Sequence, residues 1–330
     1  MKKISYIILI MVLLIGAFSS VFLAWGGEVF PRVTKMADSQ RFTDELGNSN
    51  VSAWFSGHIH ARHNSEDVRV DKDGVAFINN GSIYKYPESL FLIFENGKRK
   101  VTVKSRDHSK RKWNENLENR FSFYLNENFE YKEENLVVWS FCDVQPNNER
   151  DWELFVNTIK DVNSLNIEPD MAIVIGDLVD DGAKDDLERF KALCENTEIP
   201  WENFYPLTGN HDFNPYFAGD LNNYKEIIRD EINYTVKRGN TNFIFMSDIG
   251  AGVTGHIDDN VFEWWKDLVK DKENNNLSYT HQPLVGTTQN SVTTVRWMTS
   301  SARFLAIVMP NVILIFIGLF VAIGTAFRKN

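Results

Sequence analysis

Five apolar runs in this chain each end in residue types that bind divalent metals, and that pattern constrains its fold more than any other feature. Gly57-His58-Ile59-His60 follows Val51 to Ser56, Asp143-Val144-Gln145 follows Leu136 to Phe141, and Gly176-Asp177-Leu178-Val179-Asp180 follows Met171 to Ile175. Gly209-Asn210-His211-Asp212 follows Phe204 to Leu207, and Thr280-His281-Gln282-Pro283 follows Leu277 to Tyr279. Each run has strand length and a bounding turn signal. The spacers Trp152 to Val162, Asp185 to Cys194 and Val261 to Val269 carry apolar residues at helical spacing. Strands alternating with helices predict an α/β sandwich whose loops converge at the strands' C-terminal ends.

The remaining soluble sequence fits the same plan. Ser39 to Leu46 is expected as a helix with a Ser cap, since Phe42 and Leu46 stand four apart. Gly74 to Ile78, Leu90 to Phe94, Lys100 to Val103 and Asn242 to Met246 read as strands, with Asn96-Gly97 as a hairpin turn. Ser105 to Glu134 is polar, rich in Asn, Glu and Lys, and carries Phe and Tyr residues that predict partial packing on the sheet. His63, His108 and His256 fall outside the motifs and are expected to be structural or solvated.

Taken singly, each motif has a bland reading: an acidic helix cap, a turn, a pair of surface histidines. Together, and read as a circle starting near Leu136, they resemble the calcineurin-like metallophosphoesterase family, whose usual order ends with the Gly-His-x-His element. The resemblance covers about residues 40 to 285. It implies a metallophosphoesterase-type β-sandwich flanked by helices, circularly permuted, with two divalent ions of the Mn, Fe, Zn or Mg kind. By that resemblance Asp177 bridges both ions, Asp143 and His60 complete one site, and Asn210, His281 and His58 complete the other. His211 becomes the proton donor or transition-state stabiliser over the phosphate, and Asp180 its hydrogen-bond partner. The implied reaction is in-line attack of a metal-bound hydroxide on a phosphomonoester or phosphodiester.

The chain departs from the family pattern at Gln145, where most members carry a His. A glutamine carbonyl ligates weakly or holds a water, so that site is expected to bind its ion less tightly or to prefer a harder one. Rival readings are a non-catalytic scaffold on the same fold and a cyclic-nucleotide phosphodiesterase. The retained His211, Asp177 and Asn210 weigh against the scaffold.

Both ends are apolar. No charged residue occurs from Ile4 to Gly27 or from Phe304 to Phe327, lengths that cross about 30 Å of hydrocarbon as helices. The expected organisation is a transmembrane anchor over 1–27, a permuted catalytic domain over 28–302, and a transmembrane helix with a short basic tail over 303–330. A cleaved signal peptide is the alternative for the first run. Lys2, Lys3, Arg328 and Lys329 favour cytoplasmic termini and an extracytoplasmic domain at the cell membrane. Anchors attached where the ligand loops converge would turn the site toward the bilayer and suit a lipid-linked phosphate; a soluble phosphoester is the other substrate class. The net charge of -10 argues against nucleic acid as a partner. Cys142 and Cys194 have no metal-binding spacing.

Overall fold

A computed structural model describes residues 35–36, 39–66, 68–212, 221–247, 249, 254–288 and 291. Both expected membrane anchors lie outside these residues, and among the described residues no helix is long and apolar enough to cross a membrane. The described residues belong to one compact unit, Met1–Ser291.

In chain order the elements begin with β1 (Lys35–Met36), α1 (Ser39–Leu46), β2 (Val51–Ser56), β3 (Arg69–Lys72) and β4 (Val75–Asn79). Then come β5 (Glu88–Phe94), β6 (Lys100–Asp107), β7 (Lys112–Trp113), α2 (Glu118–Phe121) and β8 (Phe123–Tyr124). Next are β9 (Leu136–Phe141), α3 (Glu149–Asn163), β10 (Met171–Ile175), α4 (Lys184–Cys194) and β11 (Phe204–Leu207). The last are α5 (Leu221–Ile227), β12 (Tyr234–Arg238), β13 (Thr241–Met246), β14 (Thr254–Gly255), α6 (Asp259–Lys270) and β15 (Asn275–Thr280).

Two sheets form the centre. One runs β11-β10-β9-β5-β6-β7, with β8 also on β6, and the other runs β12-β13-β15-β2-β4-β3. The pairs β9/β10 and β10/β11 are parallel in the first, as are β13/β15, β15/β2 and β2/β4 in the second. Antiparallel strands finish both sheets at their flanks. Parallel order puts the C-terminal ends of β9, β10 and β11 along one edge, and likewise those of β15, β2 and β4. The ligand-type motifs follow these ends.

Alternation assigns each strand's two faces. In β9, Leu136 and Val138 enter a core between the sheets, while Trp139 and Phe141 enter a second core. In β10, Met171, Ile173 and Ile175 face the first, and Ala172 and Val174 the second. A register shift opposite Asn276 and Leu277 accommodates Ser52, so Val51 and Trp54 share the outer face while Ala53 and Phe55 point inward. Between the sheets, Tyr279 stacks on Phe55 and Phe245 with ring centroids 5.0 and 5.1 Å apart.

Helices cover both outer faces. In α3, Trp152, Phe155, Ile159 and Val162 recur at three- and four-residue spacing and pack with Phe190 of α4 on Trp139 and Phe141. Asn148 caps α3 by accepting from Arg150 N–H at 3.0 Å and Asp151 N–H at 3.2 Å. On the opposite side, Phe42 of α1 and Trp265 of α6 pack on Trp54. The result is a helix, sheet, sheet, helix sandwich, the mixed α/β class expected.

Candidate metal centre

Strand ends deliver the candidate residues, and main-chain bonds stitch their loops together. Gly57 N–H donates to His281 O at 2.9 Å, Asp143 N–H to Gly176 O at 3.1 Å, and Gln145 N–H to Asp177 O at 3.2 Å. Contact this close needs residues without side chains. A Cβ on Gly176, whose φ is +73°, would stand 2.6 Å from His281 Nδ1 and 2.8 Å from Gly209 N. The backbone is also forced into the left-handed region. Of the seven non-glycine residues with positive φ among the described residues, His58, His60, Asp143, Gln145 and Asp177 belong to this cluster. Such conformations cost about 1 kcal/mol or more each and persist where the surroundings over-determine them.

Five of the nine candidates form two buried groups with a shared member. His58, Asp177 and His281 place ligand atoms within 4.8 Å of one another, and so do His60, Asp143 and Asp177. His60 Nε2 is 2.9 Å from Asp143 Oδ1, and His281 Nε2 is 3.1 Å from Asp177 Oδ2. His281 donates its Nδ1–H to Ile175 O at 2.8 Å, which turns Nε2 toward the carboxylates. Asp143 accepts His58 N–H at 2.9 Å, and Asn79 Nδ2 donates to Gly57 O at 2.6 Å. Asn210 is also buried, and its Oδ1 accepts from Gln282 Nε2 at 3.2 Å.

The titration behaviour follows from this crowding. Burial and the neighbouring His281 push His58 down to about 3. For His281, burial acts downward but the Asp177 carboxylate overcomes it, raising the imidazole to about 10. Asp177 and Asp143 are held below the usual carboxylate range against the effect of burial, Asp177 chiefly by His281 and Asp143 by His60.

Two buried polar atoms of the cluster, His58 Nε2 and Gln145 Oε1, have no hydrogen-bond partner among the described residues. Orphans of this kind cost free energy unless something else satisfies them. Imidazole nitrogens, carboxylate oxygens and an amide oxygen are a donor set for Mn, Fe or Zn. The residues present therefore fit a divalent ion.

His211 stands beside the groups rather than in them. Its N–H donates to Asp177 Oδ1 at 2.9 Å, and its Nδ1–H to the main-chain carbonyl of Asp180 at 2.5 Å. The Asp180 carboxylate, expected as the partner, is 3.4 Å away. Burial lowers the His211 pKa, but Asp180 and Asp177 outweigh it and lift the imidazole to about 9. Gln145 touches it too: its amide nitrogen is 2.6 Å from His211 Nε2.

Two further residues inside the motifs, Asp212 and Gln282, carry structural roles that their residue types alone do not signal. Asp212 is fully buried, and its carboxylate accepts from Leu178 N–H at 2.8 Å, Val179 N–H at 3.2 Å and Gly209 N–H at 2.9 Å. It clamps the Asp177 loop to the Asn210 loop. Burial, then the Asp177 charge, pushes Asp212 up to about 7. Gln282 orients Asn210, as above. Their position beside ligand-type residues was the available signal.

Among known proteins, the family model for the calcineurin-like phosphoesterases matches residues 137–317, more than half the chain. The match begins in β9, so His58 and His60 precede it. The chain is also 36% identical over 56 residues to a probable glycerophosphodiester phosphodiesterase, GpdQ, of Arcobacter nitrofigilis. That stretch is 17% of this chain and 19% of the relative, so the chain spans about a fifth of the curated protein it matches.

Proposed function

The chain belongs to the calcineurin-like phosphoesterases, and on that premise we propose that it is a metal-dependent hydrolase of a phosphomonoester or phosphodiester. The observation that carries this reading is Asp177 standing in both buried His/Asp groups. One carboxylate common to two ligand sets is what a pair of adjacent divalent ions needs. In this reading Asp143, Asp177, Asn210, His281, His58 and His60 hold the ions, with Gln145 Oε1 as a weaker ligand on the His60 side. Bound there, divalent ions would polarise the phosphoryl oxygens and lower the pKa of water.

The chain's own groups supply proton handling and orientation. With Nδ1–H committed to the Asp180 carbonyl, Nε2 is the His211 nitrogen that holds or delivers a proton to the leaving oxygen. Gln145 donates from its amide nitrogen to that ring nitrogen when the ring is neutral, and a charged ring would require the amide to turn, which takes Oε1 away from the ion. The likeness to the glycerophosphodiester phosphodiesterase favours a diester.

The motif order is, in this proposal, a circular permutation. Its support is that β15 and β2 are parallel neighbours although they lie near opposite ends of the chain, and that the family match starts in β9. The proposal extends to apolar anchors at both ends, cytoplasmic termini, and a site turned toward a lipid-linked phosphate. Equal turnover of short-chain and vesicle-embedded phospholipids would remove the last of these.

The test of the central claim uses the full chain in detergent with an aryl phosphate and an aryl phosphodiester. Hydrolysis that needs Mn²⁺ or a similar ion and disappears in Asp177→Asn and His211→Ala supports the reading. A folded, metal-loaded chain inactive on both esters and on phospholipids argues for the scaffold instead.

A further inference from the structure

Beside the candidate metal centre stands a small basic feature that the chemistry above does not use. Arg62 lies two residues past His60 and is exposed, with its guanidinium 4.2 Å from the centroid of the Tyr86 ring. Lys85 is exposed as well, and its ammonium is 5.7 Å from the same centroid. Among the described residues neither cation has a carboxylate partner, whereas Arg41, Arg106 and Arg189 each do.

Exposed Arg–Tyr stacks are common on protein surfaces. This one differs in where it is fastened. Tyr86 N–H donates to Ser82 O at 3.2 Å, closing a turn, and that turn hangs on the main chain of the Asp143 loop. Ile83 N–H donates to Cys142 O at 3.1 Å, Tyr84 N–H to Asp143 O at 2.9 Å, and the Ser82 hydroxyl to the same oxygen at 3.2 Å. The Tyr84 ring lies edge-on to His60 with centroids 6.0 Å apart. Both cations are thus tied by short connections to the two residues that would share an ion with Asp177.

We propose that Arg62, Tyr86 and Lys85 form a recognition rim for a negatively charged group that the substrate carries in addition to its scissile phosphate. The class of that group is a carboxylate. Stacking on Tyr86 occupies the flat face of the guanidinium and leaves its N–H edge for a two-point contact with such an oxyanion. Lys85, next to Tyr86 within the turn, adds a second charge. In a chain of net charge -10, two cations with no carboxylate partner among the described residues also give the approaching anion a favourable local potential. The inference rests on the phosphoesterase reading for the place of the scissile phosphate, and it adds what stands next to it.

The experiment measures binding by calorimetry with the full chain in detergent, loaded with Mn²⁺. Two matched pairs serve as ligands: glycerol 3-phosphate against 3-phosphoglycerate, and dihexanoyl phosphatidylethanolamine against dihexanoyl phosphatidylserine. Within each pair the second member brings a carboxylate. The expected result is a preference of about tenfold for that member in at least one pair. That preference should fall to less than about twofold in the double variant Arg62→Ala with Lys85→Ala, and survive in Arg111→Ala with Lys112→Ala, which removes equal charge elsewhere. The responding pair identifies a soluble or a lipid source for the anion. Absence of a preference in both pairs, or its survival in the Arg62/Lys85 variant, overturns the rim. Turnover is scored separately, so a chain that shows the preference without hydrolysis sinks the phosphoesterase reading and not the recognition of the anion.

Discussion

His211 donates its Nδ1–H to the main-chain carbonyl of Asp180 at 2.5 Å, and the carboxylate of the same residue is farther off at 3.4 Å. A main-chain partner survives side-chain substitution. Asp180→Ala is therefore expected to keep the tautomer and lower kcat by less than about tenfold, whereas His211→Ala removes the proton-handling group and costs roughly 10²- to 10⁴-fold. Steady-state rates on an aryl phosphoester check this. Equal losses in the two variants would return the role to the carboxylate.

Asp212 predicts a stability effect at a position with no expected contact to substrate. Its carboxylate satisfies the N–H groups of Leu178, Val179 and Gly209. Asp212→Ala leaves these buried donors without an acceptor, at about 1–3 kcal/mol each. Urea unfolding should show a loss of at least about 3 kcal/mol. Asp212→Asn keeps one acceptor oxygen and should lose less.

Elements whose local pattern matched their burial were legible in the sequence. β2, β9, β10 and β11 match their expected bounds because each is an apolar run flanked by turn residues and packed on both faces. β3 gave no such signal, since Arg69–Lys72 is a polar edge strand with its last two residues exposed. Tyr234–Arg238 does alternate, with Tyr234 and Val236 buried, but over only five residues that period is too short to stand out. The Ser105 to Glu134 stretch hid more packing than its polarity indicated: Phe121, Phe123, Leu125, Phe129 and Tyr131 all enter the core between the sheets. Their spacing fits no single period because the chain changes from helix to strand to turn beneath them. At the candidate site, residue types that bind metals stand out in a sequence, and the geometry brings them together. Asp212 and Gln282 do not stand out, because their work is hydrogen bonding to other loops.

A second buried network ties β5 and β6 to α3 and predicts acid sensitivity. Arg106 and His108 both donate to Asp161, at 2.7 and 2.8 Å, and the Ser89 hydroxyl is 2.7 Å from His108 Nε2. Burial works against the Asp161 charge, but hydrogen bonds from Arg106 and His108 hold the carboxyl far below its usual range. Burial lowers His108 below its ordinary value near 6.5. Both shifts act in the same direction. Below about pH 6.5 the unfolded chain takes up a proton at His108 that the folded chain refuses, and below about pH 4 the same holds at Asp161, so this network's contribution to stability falls as pH falls. Asp161→Asn should cost about 3–5 kcal/mol at neutral pH, because it strands the buried Arg106 charge. Its unfolding free energy should also flatten with pH below about 4. A slope equal to that of the wild type there would remove Asp161 from the account.

The unsatisfied atoms of the His/Asp cluster predict that divalent ions stabilise the fold itself. His58 Nε2 and Gln145 Oε1 are buried without a hydrogen-bond partner among the described residues. An ion that binds the folded chain and not the unfolded one adds RT ln(1 + [L]/Kd), about 2.7 kcal/mol at a hundredfold excess over Kd. For a domain of this size each kcal/mol moves Tm by about 2–4 °C. Mn²⁺ at that excess should therefore raise Tm by roughly 5–10 °C, and chelation should reverse the rise. Asp177→Asn removes the carboxylate common to both groups and should lose most of the response. His58→Ala touches one group, leaves His60, Asp143 and Asp177 in place, and should keep part of it. A full Mn²⁺ response in Asp177→Asn would show that the ion sits elsewhere and that the shared carboxylate does not organise the centre.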